Sequence, residues 1–249
     1  MKFTAEKSQI VDSLQNAAAV AERRQTIPIL ANLRLKVISG KLEVAATDLE
    51  IQVKAYCELL SVEEEGETTV SARKMSELCR SLPDSENVNF ELKDGKLTVS
   101  SKNFHGDFAT ISADDFPELE VNEDQTNTTV MSGALKRILT KTSFSMASQD
   151  VRYYLNGLLL EHSSGELKGV ATDGHRLALS VSETKGGGPE MRNILPRKAA
   201  LELAKLLSPD ETPIEMLVGP TYIGIKTDNL NFASKLIDGK YPDYEKEFP

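Results

Sequence analysis

Apolar residues recur along this chain at two different spacings, and each spacing predicts a different element. Spacings of three and four residues predict amphipathic helices. Four such helices are predicted, from Ser8 to Arg24, Ser71 to Leu82, Ser132 to Ala147 and Pro196 to about Ser208. We expect Ser132 to be an N-cap, because serine hydroxyls accept hydrogen bonds from the first amides of a helix.

Alternation of apolar and polar residues predicts β-strands between these helices. Strand pairs flank the dipeptides Ser39-Gly40 and Ser164-Gly165. A third pair flanks Asp94-Gly95, a sequence that strongly favours a two-residue hairpin. Helices combined with hairpin-connected, antiparallel strands predict an α+β fold.

The whole pattern occurs twice. Residues 32–48 align without a gap with residues 157–173, at an offset of 125, and eight positions are identical. Further on, Phe116-Pro117 matches Tyr241-Pro242 at the same offset, and Arg73-Lys74 matches Arg197-Lys198 at an offset of 124. An internal repeat of this kind indicates a tandem duplication. We therefore predict one domain at 1–125 and a second at 126–249, joined by an acidic linker within 113–127.

Composition excludes several classes of protein. The sequence has no apolar run near the roughly 20 residues that cross a bilayer, and its N-terminus lacks the apolar core of a signal peptide. Cys57 and Cys79 are the two cysteines, and without a secretory signal they indicate free thiols in the cytoplasm. The three histidines are far apart and no zinc-binding spacing is present. We expect no metal and no cofactor.

Positive charge is concentrated in the predicted helices. The chain has a net charge of −9, but the four helix windows, 6–24, 71–82, 125–149 and 191–205, carry 0, +2, +3 and +3. One interpretation is that surface helices are often rich in lysine and arginine. The other is a basic helical face that binds a polyanion, with weak, salt-sensitive and sequence-independent phosphate contacts.

The stretch "ATDGHRLALS", residues 171–180, raises a choice between chemistry and recognition. Thr-Asp occurs in both repeats, which favours an aspartate that shapes the turn by binding backbone amides. After it the copies diverge, to Leu49-Glu50-Ile51 in one and Gly174-His175-Arg176 in the other. The divergent residues, with Leu177, suit the binding of a short peptide that has apolar anchors.

Two other hypotheses stay open at this point. Asp173 and His175 could form the acid–base pair of an enzyme, although no nucleophile motif accompanies them. Alternatively, the chain could be a protein-interaction scaffold that never touches DNA.

Several longer stretches resemble one family, the bacterial DNA polymerase III sliding clamp (beta subunit). They are "TIPILANLRL", "VRYYLNGLLLE", "ATDGHRLAL", Pro-Arg-Lys at 196–198 and "SKLIDGKYPDY". The resemblance covers the whole chain and implies tandem DNA-clamp domains, with antiparallel sheets outside and two helices per domain facing a central channel. It implies a ring of two three-domain subunits that encircles duplex DNA, tethers the replicative polymerase and performs no catalysis.

The resemblance also implies two sets of binding residues. A cleft for short linear motifs of the polymerase alpha subunit, the clamp loader, other polymerases and repair proteins maps to Leu155, Thr172, Gly174, His175, Arg176, Leu177 and Pro242. Contacts with double-stranded DNA map to Arg24, Arg73, Gln149, Tyr153, Tyr154, Arg197, Lys198 and Lys205.

The sequence departs from the family pattern in two places. It ends after two units, so we expect a fragment that cannot close a two-subunit ring. In addition, relatives often have an arginine followed by an apolar residue where this chain has Lys246-Glu247, which alters the rim of the expected cleft.

Overall fold

The computed structural model describes residues 1–21, 27–83, 86–119, 126–184 and 188–247. The chain divides into two units, one of Met1–Leu119 with Asp228–Asn231 and one of Glu120–Thr227 with Phe232–Pro249.

In the first unit, two helices pack side by side against an antiparallel sheet. The helices are α1 (Lys7–Ala18) and α2 (Ala72–Ser81). The strands are β1 (Lys2–Glu6), β2 (Asn32–Ile38), β3 (Lys41–Thr47), β4 (Ile51–Glu58), β5 (Ser61–Glu64), β6 (Gly66–Ser71), β7 (Asn87–Lys93), β8 (Lys96–Ser101) and β9 (Phe104–Ile111). Their order in the sheet is β4-β3-β2-β6-β9-β8-β7-β1-β5. A short 3-10 helix, Pro28–Ala31, precedes β2.

The second unit repeats the pair of helices and the strand order, with the strands in two separate parts. Its helices are α3 (Ser132–Thr142) and α4 (Arg197–Leu206). Its strands are β10 (Thr126–Met131), β11 (Gly157–Ser163), β12 (Glu166–Thr172), β13 (Leu177–Glu183), β14 (Met191–Pro196), β15 (Pro213–Val218), β16 (Tyr222–Lys226) and β17 (Leu230–Lys235). They form the antiparallel orders β13-β12-β11-β14 and β10-β15-β16-β17. The two parts are separate because β14 and β17 are not neighbours as β6 and β9 are. Short 3-10 helices lie at Ser143–Ser145, Tyr153–Asn156 and Tyr244–Glu247. The α+β prediction is confirmed.

The helices bury the apolar positions that the spacing predicts. Ile10, Leu14 and Ala17 of α1 are fully buried. Leu135 and Ile138 of α3 are also fully buried. Each large side chain buried in this way contributes about 1.5–3 kcal/mol to folding, so this apolar stripe holds each helix on its sheet.

Three two-residue turns connect the predicted hairpins. Their residues have φ angles of 51° and 80° at Ser39-Gly40, 50° and 73° at Asp94-Gly95, and 52° and 80° at Ser164-Gly165. Two positive φ angles in a row match the twist of the flanking strands, and glycine adopts them at the second position without strain.

Several predicted helix ends are wrong. Ser132 is the first residue of α3 and not its N-cap, because its hydroxyl donates to the Ser208 carbonyl at 2.8 Å. Ser71 and Pro196 precede their helices as N-caps, and the Ser71 hydroxyl accepts from the Lys74 amide. The first helix ends at Ala18, and part of its predicted extension lies outside the described residues.

The first unit extends into the predicted linker, which was expected to begin at residue 113. Phe116 is buried among Ile29, Leu30 and Ala45 of the first unit. Glu118 binds Arg34 and Lys54. The segment through Leu119 therefore belongs to the first unit, and residues 120–125 lie outside the described part of the chain.

Candidate functional site

Two turns of the same construction follow β3 and β12. In the second, the Thr172 hydroxyl donates to the Arg176 carbonyl (2.7 Å) and accepts from the Gly174 amide (3.0 Å). Oδ1 of Asp173 accepts from the amides of His175 (3.0 Å) and Arg176 (3.1 Å). The prediction that this aspartate shapes the turn is confirmed.

The first unit makes the same four hydrogen bonds. The Thr47 hydroxyl donates to the Ile51 carbonyl and accepts from the Leu49 amide. Oδ1 of Asp48 accepts from the amides of Glu50 and Ile51. The turn is therefore architecture shared by both units, and only the residues it presents differ.

The shared turn removes the basis for a catalytic Asp173–His175 pair. The backbone amide of His175, with further contributions from the amide and guanidinium of Arg176, lowers the pKa of the Asp173 carboxyl although desolvation opposes this. Arg176 Nε donates to Asp173 Oδ2 at 2.9 Å. Among the described residues, no hydrogen bond joins this carboxylate to the His175 ring. The carboxylate holds the turn and an arginine, and does not orient an imidazole.

An apolar cluster lies beside this turn in the second unit. Leu155 and Tyr241 are buried in it, and the half-buried side chain of Leu177 packs against it. The other members are Ala147, Leu159, Val170, Ile194 and Tyr244, with Tyr154 and Ile237 packed at the edge. The Thr172 amide donates to Tyr241 Oη at 3.0 Å. Three predicted peptide-site residues, Leu155, Thr172 and Leu177, are thus brought together.

The remaining predicted peptide-site residues are exposed. Gly174, His175 and Arg176 lie at the tip of the turn, and Pro242 follows the buried Tyr241. The Arg176 guanidinium lies 5.6 Å from the ring centroid of Phe144, which is itself 58% exposed. The turn and cluster therefore present an apolar surface with polar and cationic groups at its edge.

Sequence reasoning missed three aromatic residues of this site. Tyr241 holds Thr172, Phe144 packs with Arg176, and Tyr244 donates from its hydroxyl to the Glu161 carboxylate. Burial, with the nearby Glu161 carboxylate, raises the pKa of Tyr244. The match of Tyr241 to Phe116 in the repeat was the available signal for the first of these residues.

The first unit has an equivalent cluster with a different edge. Its members Ile29, Leu30, Ala45 and Phe116 stand 125 positions before Tyr154, Leu155, Val170 and Tyr241. At the same offset, however, Arg34 and Gln52 replace Leu159 and Leu177.

These two replacements close the first cluster with polar groups. Arg34 binds Glu43 at 2.7 Å and also binds Glu118, with its guanidinium 5.2 Å from the Phe116 ring centroid. Gln52 Oε1 accepts from the Leu119 amide at 3.2 Å. Among the described residues, the cluster of the second unit therefore has Leu177 at its edge, where the cluster of the first unit has the polar Gln52.

The cationic helix residues have different surroundings. On α4, Lys198, Leu201 and Lys205 lie at spacings of three and four on one exposed face, and Lys205 pairs with Glu202 at 2.8 Å. Arg197 is half-buried and donates to the Met146 carbonyl at 3.0 Å. Arg197 thus contacts the residue that follows the 3-10 helix Ser143–Ser145.

Two cations that contribute to the predicted charge of α3 also make structural contacts. Lys136 Nζ donates to the Leu207 carbonyl at 2.7 Å, and Arg137 donates to Ser182 Oγ at 3.0 Å. Part of the positive charge of α3 therefore makes contacts within the protein.

The other residues predicted to contact DNA differ in exposure and in the element that carries them. Gln149 is exposed with a φ of 60°, Tyr153 is exposed, and the half-buried Tyr154 packs edge-on to it at 5.8 Å. Arg73 is exposed on α2 and pairs with Glu77 at 2.8 Å. Arg24 lies outside the described residues.

Other kinds of site are not found where the chain is described. Over those residues, no three His, Cys, Asp or Glu side chains are placed to hold a metal. No helix there is long and apolar enough to cross a membrane. Cys57 and Cys79 are buried free thiols, as predicted.

Two copies of a unit with paired helices on antiparallel sheets define a clamp-type protein. A family model described as the N-terminal domain of the DNA polymerase III beta subunit matches residues 1–120, and one for the central domain of that subunit matches residues 129–243. The beta sliding clamps of Pseudomonas aeruginosa and Escherichia coli are 40% and 39% identical to the chain, which is covered completely and spans 68% of each.

Solved structures agree with the sequence comparison. A Pseudomonas aeruginosa sliding clamp bound to griselimycin is 40% identical with a TM-score of 0.96, over all of this chain and 68% of that one. A Caulobacter crescentus clamp is 31% identical with a TM-score of 0.92, over all of this chain and 69% of that one. The chain belongs to the DNA polymerase III beta subunit family, the bacterial sliding clamps, which are processivity factors and not catalysts.

Proposed function

We propose that this chain contributes two domains, 1–125 and 126–249, to a cytoplasmic ring of two subunits that surrounds duplex DNA. The ring keeps the replicative polymerase on its template, and its partners are the polymerase III alpha subunit, the clamp loader, other polymerases and repair proteins. Family membership supports this proposal, and ring closure is proposed for a protein with the full length of the relatives.

The docking site for partner peptides is the surface formed by Leu155, Thr172, Gly174, His175, Arg176, Leu177 and Pro242. The observation that carries this assignment is the apolar edge of the cluster in the second unit. The half-buried Leu177 supplies apolar surface and the buried Leu159 belongs to the same cluster, whereas Gln52 and Arg34 close the equivalent cluster of the first unit. Apolar anchors in a preformed depression, rimmed by polar groups, are the usual basis of peptide recognition.

The DNA surface is cationic and reads no sequence. Lys198 and Lys205 are exposed on one face of α4, and Arg73 is exposed on α2. Arg24, Gln149, Tyr153, Tyr154 and Arg197 complete the proposed set. Contacts of lysine and arginine with phosphates position a duplex without reading its bases, which suits a protein that must slide.

A peptide titration followed by amide NMR signals tests the docking site. The peptide carries a glutamine followed by spaced leucine and phenylalanine anchors. We expect signals of Gly174 to Leu177 to shift and those of the equivalent turn, Leu49 to Gln52, to stay in place. Shifts at neither turn, or equal shifts at both, contradict the assignment.

A matched pair of variants separates the site from the turn that supports it. His175 and Glu50 are exposed at the same position of the two turns. We expect His175→Ala to weaken binding of the peptide and Glu50→Ala to leave it unchanged. An equal effect of the two substitutions argues against a docking site confined to the second unit.

A further inference from the structure

Gly174 and Leu49 occupy the same position of two turns that have the same hydrogen bonds. Their φ angles are 87° and 75°. A positive φ usually favours glycine, yet leucine adopts it in the first unit. The positive φ is therefore common to both positions, and Gly174 differs from Leu49 in what lies beside it.

The guanidinium of Arg152 lies beside Gly174. A β-carbon added to Gly174 would lie 3.2 Å from both Nη atoms of Arg152, closer than the optimal separation of non-bonded atoms. The guanidinium thus lies directly against the backbone of the turn. Gly165 provides a contrast, because its φ is 80° but a β-carbon there would meet no heavy atom within 4 Å.

Asp150 holds the guanidinium in this position. Nε and Nη2 of Arg152 donate to the two carboxylate oxygens of Asp150 at 3.0 and 2.8 Å, a two-point geometry that fixes orientation. Nη2 also donates to the Asp173 carbonyl at 3.3 Å. The side chain of Asn156 in turn fixes the backbone of Asp150. Asn156 Oδ1 accepts from the Asp150 amide and Asn156 Nδ2 donates to the Asp150 carbonyl, both at 2.9 Å. A continuous set of contacts therefore joins the loop to the turn.

We propose that Arg152 is a positioning residue that links the turn Thr172–Leu177 to the loop of residues 149–153, so that a peptide bound at the turn changes the loop. Gln149 and Tyr153 flank the Asp150–Arg152 pair and belong to the proposed DNA surface, so this inference rests on the proposed function. A link of this kind makes the peptide and DNA affinities depend on each other by the same factor.

Glycine variants test the contact without any ligand. Gly174→Ala and Gly165→Ala both place alanine at a positive φ, which lowers the folding equilibrium constant by about tenfold. Only Gly174→Ala also pushes against Arg152. We expect the amide signals of residues 149–153 to shift in Gly174→Ala and not in Gly165→Ala. The shift should be absent when Gly174→Ala is compared with its parent in an Arg152→Ala background, and its persistence there overturns the contact.

The peptide titration then tests the link itself. At saturation, we expect signals of Gln149 and Tyr153 to move in the unmodified chain. In Arg152→Ala they should stay in place while those of Gly174 to Leu177 still move. Arg152→Lys should behave like Arg152→Ala, because lysine keeps the charge but lacks the planar fork.

The outcomes separate this inference from the proposed function. Movement at the turn without movement of the loop overturns the link, as does movement of the loop that survives in Arg152→Ala. No movement at the turn in the unmodified chain overturns the docking site, and the glycine variants still decide whether Arg152 positions the turn.

Discussion

The backbone amide of Thr172 donates a hydrogen bond to the hydroxyl of Tyr241 at 3.0 Å, across 69 residues of chain. Tyr241 is 2% exposed, and its counterpart in the first unit is Phe116, which has no hydroxyl. The bond therefore belongs to the second unit alone. It fixes the start of the turn to the apolar cluster on which we expect a peptide to dock.

Replacing Tyr241 with phenylalanine should destabilise the protein with little change in packing. The substitution leaves the buried Thr172 amide without its acceptor, which costs about 1–3 kcal/mol. We expect a lower urea midpoint, faster hydrogen exchange at Thr172 and weaker binding of the peptide. Tyr222→Phe, at a half-buried tyrosine of β16, serves as the control. Equal midpoints for the two variants refute the role given to the Tyr241 hydroxyl.

Much of the fold follows from patterns that a sequence displays directly. Helical spacing at Ile10 and Leu14, and turn dipeptides such as Asp94-Gly95, report local requirements that do not depend on distant residues. The internal repeat also predicted a structural role, because an aspartate present in both copies is expected to bind the backbone amides of the turn. Asp48 and Asp173 do so with the same hydrogen bonds.

The features that escaped prediction depend on contacts between residues far apart in sequence. Ser132 binds the Ser208 carbonyl instead of capping its helix, and Phe116 leaves the predicted linker for the core. The Arg152 contact was hidden for the same reason, since no local pattern joins it to Gly174. Tertiary contacts of this kind override the local preferences that a sequence pattern reports.

Removing the turn aspartates should separate architecture from function. Asp48→Ala and Asp173→Ala each remove the acceptor of two backbone amides in equivalent turns. We expect both to lower the urea midpoint by similar amounts. Only Asp173→Ala should lower the affinity for the peptide. We expect a loss of up to about tenfold, which is the scale of one well-made polar contact. Peptide affinity measured by calorimetry checks this, and a similar loss of affinity in Asp48→Ala would contradict it.

Glu118 should make the stability of the first unit depend on pH. Burial alone raises the pKa of its carboxyl, but hydrogen bonds from Lys54 and Arg34 lower it to about 2, from 4.5. A lowered folded-state pKa stabilises the protein above pH 4.5, and this contribution is lost as the pH falls toward 2. Because the side chain is 43% exposed, screening reduces the contribution to about 1 kcal/mol.

The comparison with Glu118→Gln isolates this contribution. We expect the unmodified chain to be more stable than the variant near pH 6, and the difference in unfolding free energy to shrink as the pH falls from 4.5. Urea unfolding across this range measures it. Glu58→Gln, which removes an exposed pair with Lys41, is the control. Parallel stability curves for the unmodified chain and Glu118→Gln would show that the carboxylate contributes nothing specific.

The cationic face of α4 should govern how duplex affinity responds to salt. Lys198 and Lys205 lie on the same exposed face, and removing one lysine–phosphate interaction lowers the slope of log affinity against log salt by about 0.9. We therefore expect Lys198→Ala with Lys205→Ala to weaken duplex binding and reduce the slope by about 2. Fluorescence anisotropy between about 50 and 200 mM salt measures both quantities. Lys226→Ala, at an exposed lysine of β16, should leave the slope unchanged. A slope that falls equally in the control would mean that net charge, and not this face of α4, binds the duplex.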